Sequence, residues 1–348
     1  MTGIKELWNR DGACTEARGS FNHVSPGVQM TRSSTFGLAS SLVFVAAQLA
    51  GCGQEPADLA GTAEEALAPV ETGAPQLVPH RIRGAADGAA VTVGSTGVVT
   101  PAITHHGGPV IGTPTAYVIW HGNWNQTNGS DTPAGQQIVR DFLANVGGSP
   151  YFKINQTYSI ASTAVTGDVG YGGEATSTST STRLRDADIL SIVNNTLNAG
   201  KLPYDPNGVY FVLTSSNVAE SSGFCTKYCG WHTAGTATKG HVRYSFVGNA
   251  NRCLSGCAAQ SVSPNGNAGV DGMISVIAHE LEEATSDPDL NAWYDSGGAE
   301  NADKCAWTFG NYSTLPSGAA YNMTLGTRNY LIQRNLKHAT SGDTCTLQ

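Results

Sequence analysis

The sequence predicts an α/β fold: a single domain with a mixed β-sheet flanked by helices, stabilised by disulfides. Three observations predict it. The short β-branched and aromatic runs "TAYVIWHG" (115–122) and "GVYFVLTSS" (208–216) have the length and composition of buried strands. Stretches with helical apolar spacing stand between and after them. Cys225, Cys229, Cys253, Cys257, Cys305 and Cys345 lie in the same region, an even set in a chain that carries an export signal.

The elements follow in order. In "TPAGQQIVRDFLANVGGS", Thr132 suits an N-cap and Pro133 the first helical turn. Ile138, Phe142 and Leu143 then share a face, and Gly147-Gly148 ends the helix. "YFKINQTYS" (151–159) alternates like a half-buried strand. The stretch 177–203 begins polar and becomes a helix with Ile189, Ile192, Val193 and Leu197 facing inward. "HVRYSFVG" (241–248) alternates again, and a glycine- and proline-containing loop (261–269) leads into a late helix. On that helix Val270, Met273, Ile274, Ile277, Ala278, Leu281 and Ala284 form one core-facing stripe, and Pro288 stops it near Asp287. The tail "AAYNMTLGTRNYLIQRNL" (319–336) has room for a last strand or two.

Three segments are expected. Residues 1–52 read as an upstream extension and a lipoprotein signal peptide. Arg32 supplies a positive start, an apolar run follows from Phe36 to Leu49, and Leu49-Ala50-Gly51-Cys52 makes Cys52 the lipidated residue. Residues 53–100, rich in Ala, Gly, Pro, Glu and Thr, read as a flexible low-complexity tether that cannot bury enough surface to offset its ordering entropy. Residues 101–348 make the globular domain, long enough for a substantial core. Those features predict an extracytoplasmic protein, secreted or anchored to a bacterial cell envelope by lipid. Only 13% of residues are charged, so the surface is largely uncharged polar. A net charge of -8 with no basic stripe argues against nucleic acid as a partner.

The chemistry lies in "HELEE" (279–283). His279 and Glu283 stand four residues apart on a helix, one above the other, roughly 120–160° around from the stripe centred on Ile277. Such a pair is the simplest way to present two metal ligands from one face. Glu280 would then reach a metal-bound water, as the glutamate of His-Glu-x-x-His metallopeptidases does. Glu300 is the expected third ligand, from "GGAENADKCAW", and Asp303 the expected orienting partner of His279. Zinc is the cofactor this set predicts. Calcium held by Glu283, Asp287, Asp295 and Glu300 is the alternative, and a solvated acidic helix face is the bland one. The cysteines read as disulfides of unassigned pairing, although "CTKYC" and "CLSGC" also fit a four-thiolate zinc site. His121 and His232 read as hydrogen-bonded structural histidines, and Tyr294 as packing.

Several blocks together resemble one family. "VYFVLTSSNVAESSGFCTKYCGWHT", "HVRYSFVGNANRCLSGCA", "SVSPNGNAGVDGMISVIAHELEEATSDP" and "YNMTLGTRNYLIQ" look like the EXORDIUM, or phosphate-induced protein 1, family, over roughly 115–348. The resemblance implies an exported, cell-surface or cell-wall protein without an established enzymatic activity. The HExxE motif is taken as an addition to the plant pattern. The late helix with its histidine and glutamates gives the predicted domain a zincin-like arrangement. The expectation is therefore a metal-dependent, peptidase-like hydrolase of the envelope, acting on a peptide or cell-wall polymer. The alternative is a non-catalytic surface protein that binds such a polymer through Trp120, Trp124, Trp231 and Trp293.

Overall fold

The computed structural model describes residues 78–84, 92–93 and 97–348. The signal segment with Cys52 and the greater part of the 53–100 stretch lie outside the described residues. In chain order the main elements are β1 (Val78–Arg81), β2 (Thr115–His121), α1 (Pro133–Val146), β3 (Gly170–Thr176), α2 (Asp186–Asn198), β4 (Gly208–Thr214), β5 (Tyr228–Ala237), β6 (Gly240–Gly248) and α3 (Ala268–Ser286). A C-terminal hairpin pairs β7 (Asn335–Lys337) with β8 (Thr344–Thr346).

The strands of the main sheet run in the order β1-β5-β6-β4-β2-β3. From β6 to β3 the pairings are parallel, and β5 with β6 and β1 with β5 are antiparallel. Every residue of β4 is buried, as a central strand covered on both faces requires. Helices cover both faces. Gly230 on β5 backs onto Val276 of α3, whereas Gly235, of opposite parity, faces Leu190 of α2.

The capping chemistry of α1 is as the sequence predicts: the Thr132 hydroxyl accepts from the Gly135 N–H, and Pro133 opens the helix. The inward residues of α2 are buried as expected. Helix α3 differs from a surface helix. Its apolar stripe is buried, and so are His279, Glu280, Glu282 and Glu283 on the other side. A solvated acidic face is therefore excluded.

Two expectations are corrected, and one strand is unanticipated. Residues 152–158 form a 3-10 helix, not a strand. The Ser149 hydroxyl accepts from the Phe152 N–H, and Phe152, Asn155 and Tyr158 are buried at intervals of three, the repeat of that helix. Strand β3, "GYGGEAT", has no apolar alternation to announce it and lies at the sheet edge. The 53–100 stretch contributes β1 to the sheet, so it is not wholly a tether.

The cysteines pair as Cys225–Cys253, Cys229–Cys257 and Cys305–Cys345, which removes the four-thiolate zinc site. The first two fasten the approach to β5 to the segment before α3, and the third fastens the 295–305 loop to β8. Among the described residues no helix is long and apolar enough to cross a membrane.

Candidate metal centre

Helix α3 lies against β5 on the face that carries Gly230 and His232. A Cβ on Gly230 would meet Val276 Cγ1 at 2.7 Å, the Phe246 carbonyl at 2.8 Å and Glu280 Oε1 at 3.2 Å, so only glycine permits this approach. Two residues along the strand, on the same face, His232 enters the space between strand and helix. Its Nδ1 lies 3.3 Å from Glu280 Oε2 and 3.4 Å from Glu283 Oε2. Its Nε2 lies 3.7 Å from Glu300 Oε2 and 3.4 Å from the Asp287 carbonyl.

One turn along α3 from Glu283, His279 directs Nε2 toward Glu283 Oε1 at 2.9 Å and Asp303 Oδ1 at 3.4 Å. Its Nδ1 meets the Gln333 side-chain amide at 2.8 Å. Glu283 thus joins two convergent sets, His232–Glu280–Glu283 and His279–Glu283–Asp303, each with ligand atoms within 4.8 Å of one another. His279, Glu280, Glu283 and His232 have no exposed surface, and Glu300 is 1% exposed.

The bonding inside the cluster is incomplete. His279 Nε2, Glu280 Oε1, Glu283 Oε2 and both carboxylate oxygens of Glu300 are buried without a hydrogen-bond partner. A buried polar atom left in that state costs about 1–3 kcal/mol, and more when charged. Carboxylate oxygens and imidazole nitrogens that converge on one buried space with several lone pairs unpartnered are an arrangement a divalent cation satisfies. The donor set of imidazole nitrogen and carboxylate oxygen suits zinc, so the residues fit the ion the sequence predicts.

The electrostatics agree. Burial opposes charge on His232, yet Glu280 and Glu283 push its imidazole up to about 10. His279 is likewise buried but held well above its usual value by Glu283, Asp303 and Glu280. Burial pushes Glu280 up to about 7. Glu283 is also penalised by burial, but the two imidazoles hold it down to about 2. Burial, then Glu283 and Asp287, drive Glu300 well above the carboxylate range. The site demands positive charge, which protons or a metal can supply.

The predicted residues are therefore near one another, in a different division of labour. His279, Glu280 and Glu283 share one buried space. Glu300 faces His232 instead of completing a set with His279, and Asp303 faces His279 Nε2 directly. Gln333, from the C-terminal tail, takes the orienting position at Nδ1. Two of the four residues of the calcium alternative have partners elsewhere: Asp287 Oδ1 accepts from the Asn291 and Ala292 N–H groups, and Asp295 binds Lys304.

His232, read from the sequence as a structural histidine, faces the cluster, and the sequence reading assigns no role to His80 or Gln333. For His232 the signal was the strand parity it shares with Gly230. His80, on β1, is 1% exposed and its ring lies 4.0 Å from that of His279 and 5.0 Å from Trp307. His121 is structural as expected, with Nε2 on the Ser181 carbonyl. Tyr294 stacks on His106. Trp120, Trp124, Trp231 and Trp293 are all buried, at 2%, 7%, 0% and 8% exposure, so they offer no polymer-binding surface.

Comparison with known proteins places this chain in a family. The model of the phosphate-induced protein 1 conserved region matches residues 103–346. Protein EXORDIUM-like 3 of Arabidopsis thaliana is 31% identical over 282 residues, covering 69% of this chain and 81% of that protein. Protein EXORDIUM-like 5 of the same plant is 30% identical over 244 residues, covering 60% of this chain and 65% of that protein. Protein PHOSPHATE-INDUCED 1 of Nicotiana tabacum is 34% identical over 106 residues, covering 25% of this chain and 34% of that protein. No solved structure matches significantly. The chain belongs to the phosphate-induced protein 1 family, and the family match spans β5, α3 and the 295–305 loop that form the buried cluster.

Proposed function

We propose that this protein is an exported, envelope-anchored hydrolase, peptidase-like, that works with a zinc ion in the buried cluster. One observation carries the reading: imidazole and carboxylate groups of α3 and β5 converge in a space sealed from water, where His279 Nε2, Glu280 Oε1 and Glu283 Oε2 have no hydrogen-bond partner. A helix-borne His-Glu pair packed against a strand of the sheet supports a zincin-like reading of the site. Glu283 belongs to both sets, so the ion would be held by Glu283 with His232 or with His279. Zinc there would supply Lewis acidity for attack of water on an amide. Glu280 keeps one oxygen without a partner and is raised to about 7, which suits a group that takes and returns a proton near neutral pH. Lipid attachment at Cys52 would hold the domain at a membrane, with a peptide or wall polymer as substrate.

The complete burial of the cluster favours a second reading, in which the cation braces a non-catalytic surface protein. Glu280→Gln separates the two. Zinc content and peptide cleavage are measured on the whole chain, with β1 in place and after limited proteolysis ahead of Val98. The hydrolase reading predicts bound zinc in both proteins and a loss of cleavage of about 100-fold or more in the variant. Cleavage unaffected by the variant, or absent in zinc-loaded wild type under both conditions, contradicts it.

A further inference from the structure

We propose that the outer edge of β5 is a binding site for an extended peptide, and that β1 is this chain's own occupant, a displaceable cover over the His279–Glu280 pair. The proposal rests on the cluster being the functional centre, and it names the ligand class and the device that controls access.

The register defines the site. β1 is hydrogen-bonded within the sheet to β5 alone, antiparallel, with Val78 opposite His232, Pro79 opposite Trp231 and His80 opposite Gly230. Gly230 is the residue whose missing side chain leaves room for Glu280, and His232 is the strand's contribution to the cluster. The cover therefore crosses the site directly. A strand edge presents unpaired N–H and C=O groups to any extended chain, and such pairing is indifferent to side chains.

The contacts that continue the strand are of the same kind. The Ile82 N–H donates to the Lys227 carbonyl at 3.0 Å and the Arg83 N–H to the Gly256 carbonyl at 2.9 Å. Trp307 Nε1 donates to the Arg81 carbonyl at 3.0 Å. Each uses the ligand's main chain, so a different extended peptide could make it. Side chains add selectivity: Ile82 packs against the core, Arg83 Nη1 donates to the Ala259 carbonyl at 3.3 Å, and His80 makes the most enclosed contact. The His80 ring occupies a slot between His279 and Trp307, with its Nδ1 buried and without a partner. The slot takes a planar ring, so the ligand is an extended peptide with an imidazole or similar ring at that position.

The cover is also separable. It lies outside the family match, residues 103–346, which contains β5, α3 and the rest of the cluster. Among the described residues the three disulfides fall between Cys225 and Cys345, and none of them ties β1 to the domain. Exposed Gly84 follows it closely.

The test inserts a site-specific protease sequence after Gly84 in the whole chain. The protein is cut, the N-terminal piece is removed by gel filtration, and a labelled peptide Val-Pro-His-Arg-Ile-Arg is titrated by fluorescence anisotropy. Saturable binding to the cut protein, none to the uncut protein, and binding at least tenfold weaker when alanine replaces the peptide's histidine are expected. A cut protein that keeps its circular dichroism and binds no peptide overturns the proposal, as does equal binding by uncut protein. If the cut protein unfolds, hydrogen exchange on the uncut chain decides. His80→Ala should speed exchange of β5 amides several-fold while β4 stays unchanged, and no change at β5 overturns the proposal. Zinc measured in the same samples keeps the two ideas apart. Peptide binding without zinc supports the groove and removes the hydrolase, and zinc without peptide binding does the reverse.

Discussion

Two buried acidic sites stand close together on the 295–305 loop and meet the same difficulty differently. Asp295 accepts from the Gly297 and Ala299 N–H groups at 2.8 and 3.0 Å, and its other oxygen receives the Lys304 ammonium. Both of those side chains are fully buried, and the carboxylate is satisfied by the chain itself. A few residues on, Glu300 is buried with neither oxygen satisfied, beside Glu280 and Glu283, which each keep one unsatisfied oxygen. The fold gives Asp295 a permanent cation in Lys304, whereas the α3 cluster has only the imidazoles of His232 and His279, which are charged only when protonated. Since an uncompensated buried carboxylate is so costly, the contrast points to an external cation at the second site.

The largest effect should come from removing the internal cation. Lys304→Met strands Asp295, and urea unfolding should show a loss of about 3–5 kcal/mol that added zinc does not restore. Next comes the Cys305–Cys345 bridge, which closes a 40-residue separation and fastens the loop that carries both sites. Replacing both cysteines by serine should cost about 4 kcal/mol in the chain-entropy view, and should weaken zinc binding as well, read by competition with a chromogenic chelator. Glu283→Gln acts on the external-cation site alone. At a free zinc concentration 100 times its Kd the wild type should gain about 2.7 kcal/mol over chelated protein, and the variant none, measured by thermal melts.

The smallest effect lies at the surface and sharpens the contrast with an exposed pair. Arg140 holds Glu174 bidentately, at 2.8 Å on each oxygen. Burial opposes the charge on Glu174, but hydrogen bonds from Arg140, Trp120 and Tyr171 lower its pKa below 4.5 overall. A folded value below the unfolded one gives stability that is present above about pH 4.5 and lost as pH falls through the folded value. Glu174→Gln should flatten that acid limb by at most about 1 kcal/mol, because the pair is substantially exposed.

How much of this was legible follows from contact range. The α1 cap, the apolar stripe of α3 and the buried strands are written in local spacing, and they stand where the sequence places them. The α3 pair His279–Glu283 is local too. The partners that complete the cluster are not. His232 reaches Glu280 across 48 residues and Gln333 reaches His279 across 54, separations that no periodicity encodes. β1 was hidden by composition, since a low-complexity stretch gives no sign that four of its residues complete a sheet edge. The bland expectation for the glutamates failed because helix polarity does not by itself report burial. Their face is covered by β5, the 295–305 loop and the tail, all distant in sequence.

The central claim is tested most directly by an anomalous difference map at the zinc absorption edge, from crystals of the whole chain grown without chelator. The account predicts one strong peak within about 2.0–2.2 Å of a Glu283 oxygen and of a nitrogen of His232 or His279. A map with no peak there, and with those imidazoles hydrogen-bonded to Glu280, Glu283 and Asp303 as proton donors, would contradict it.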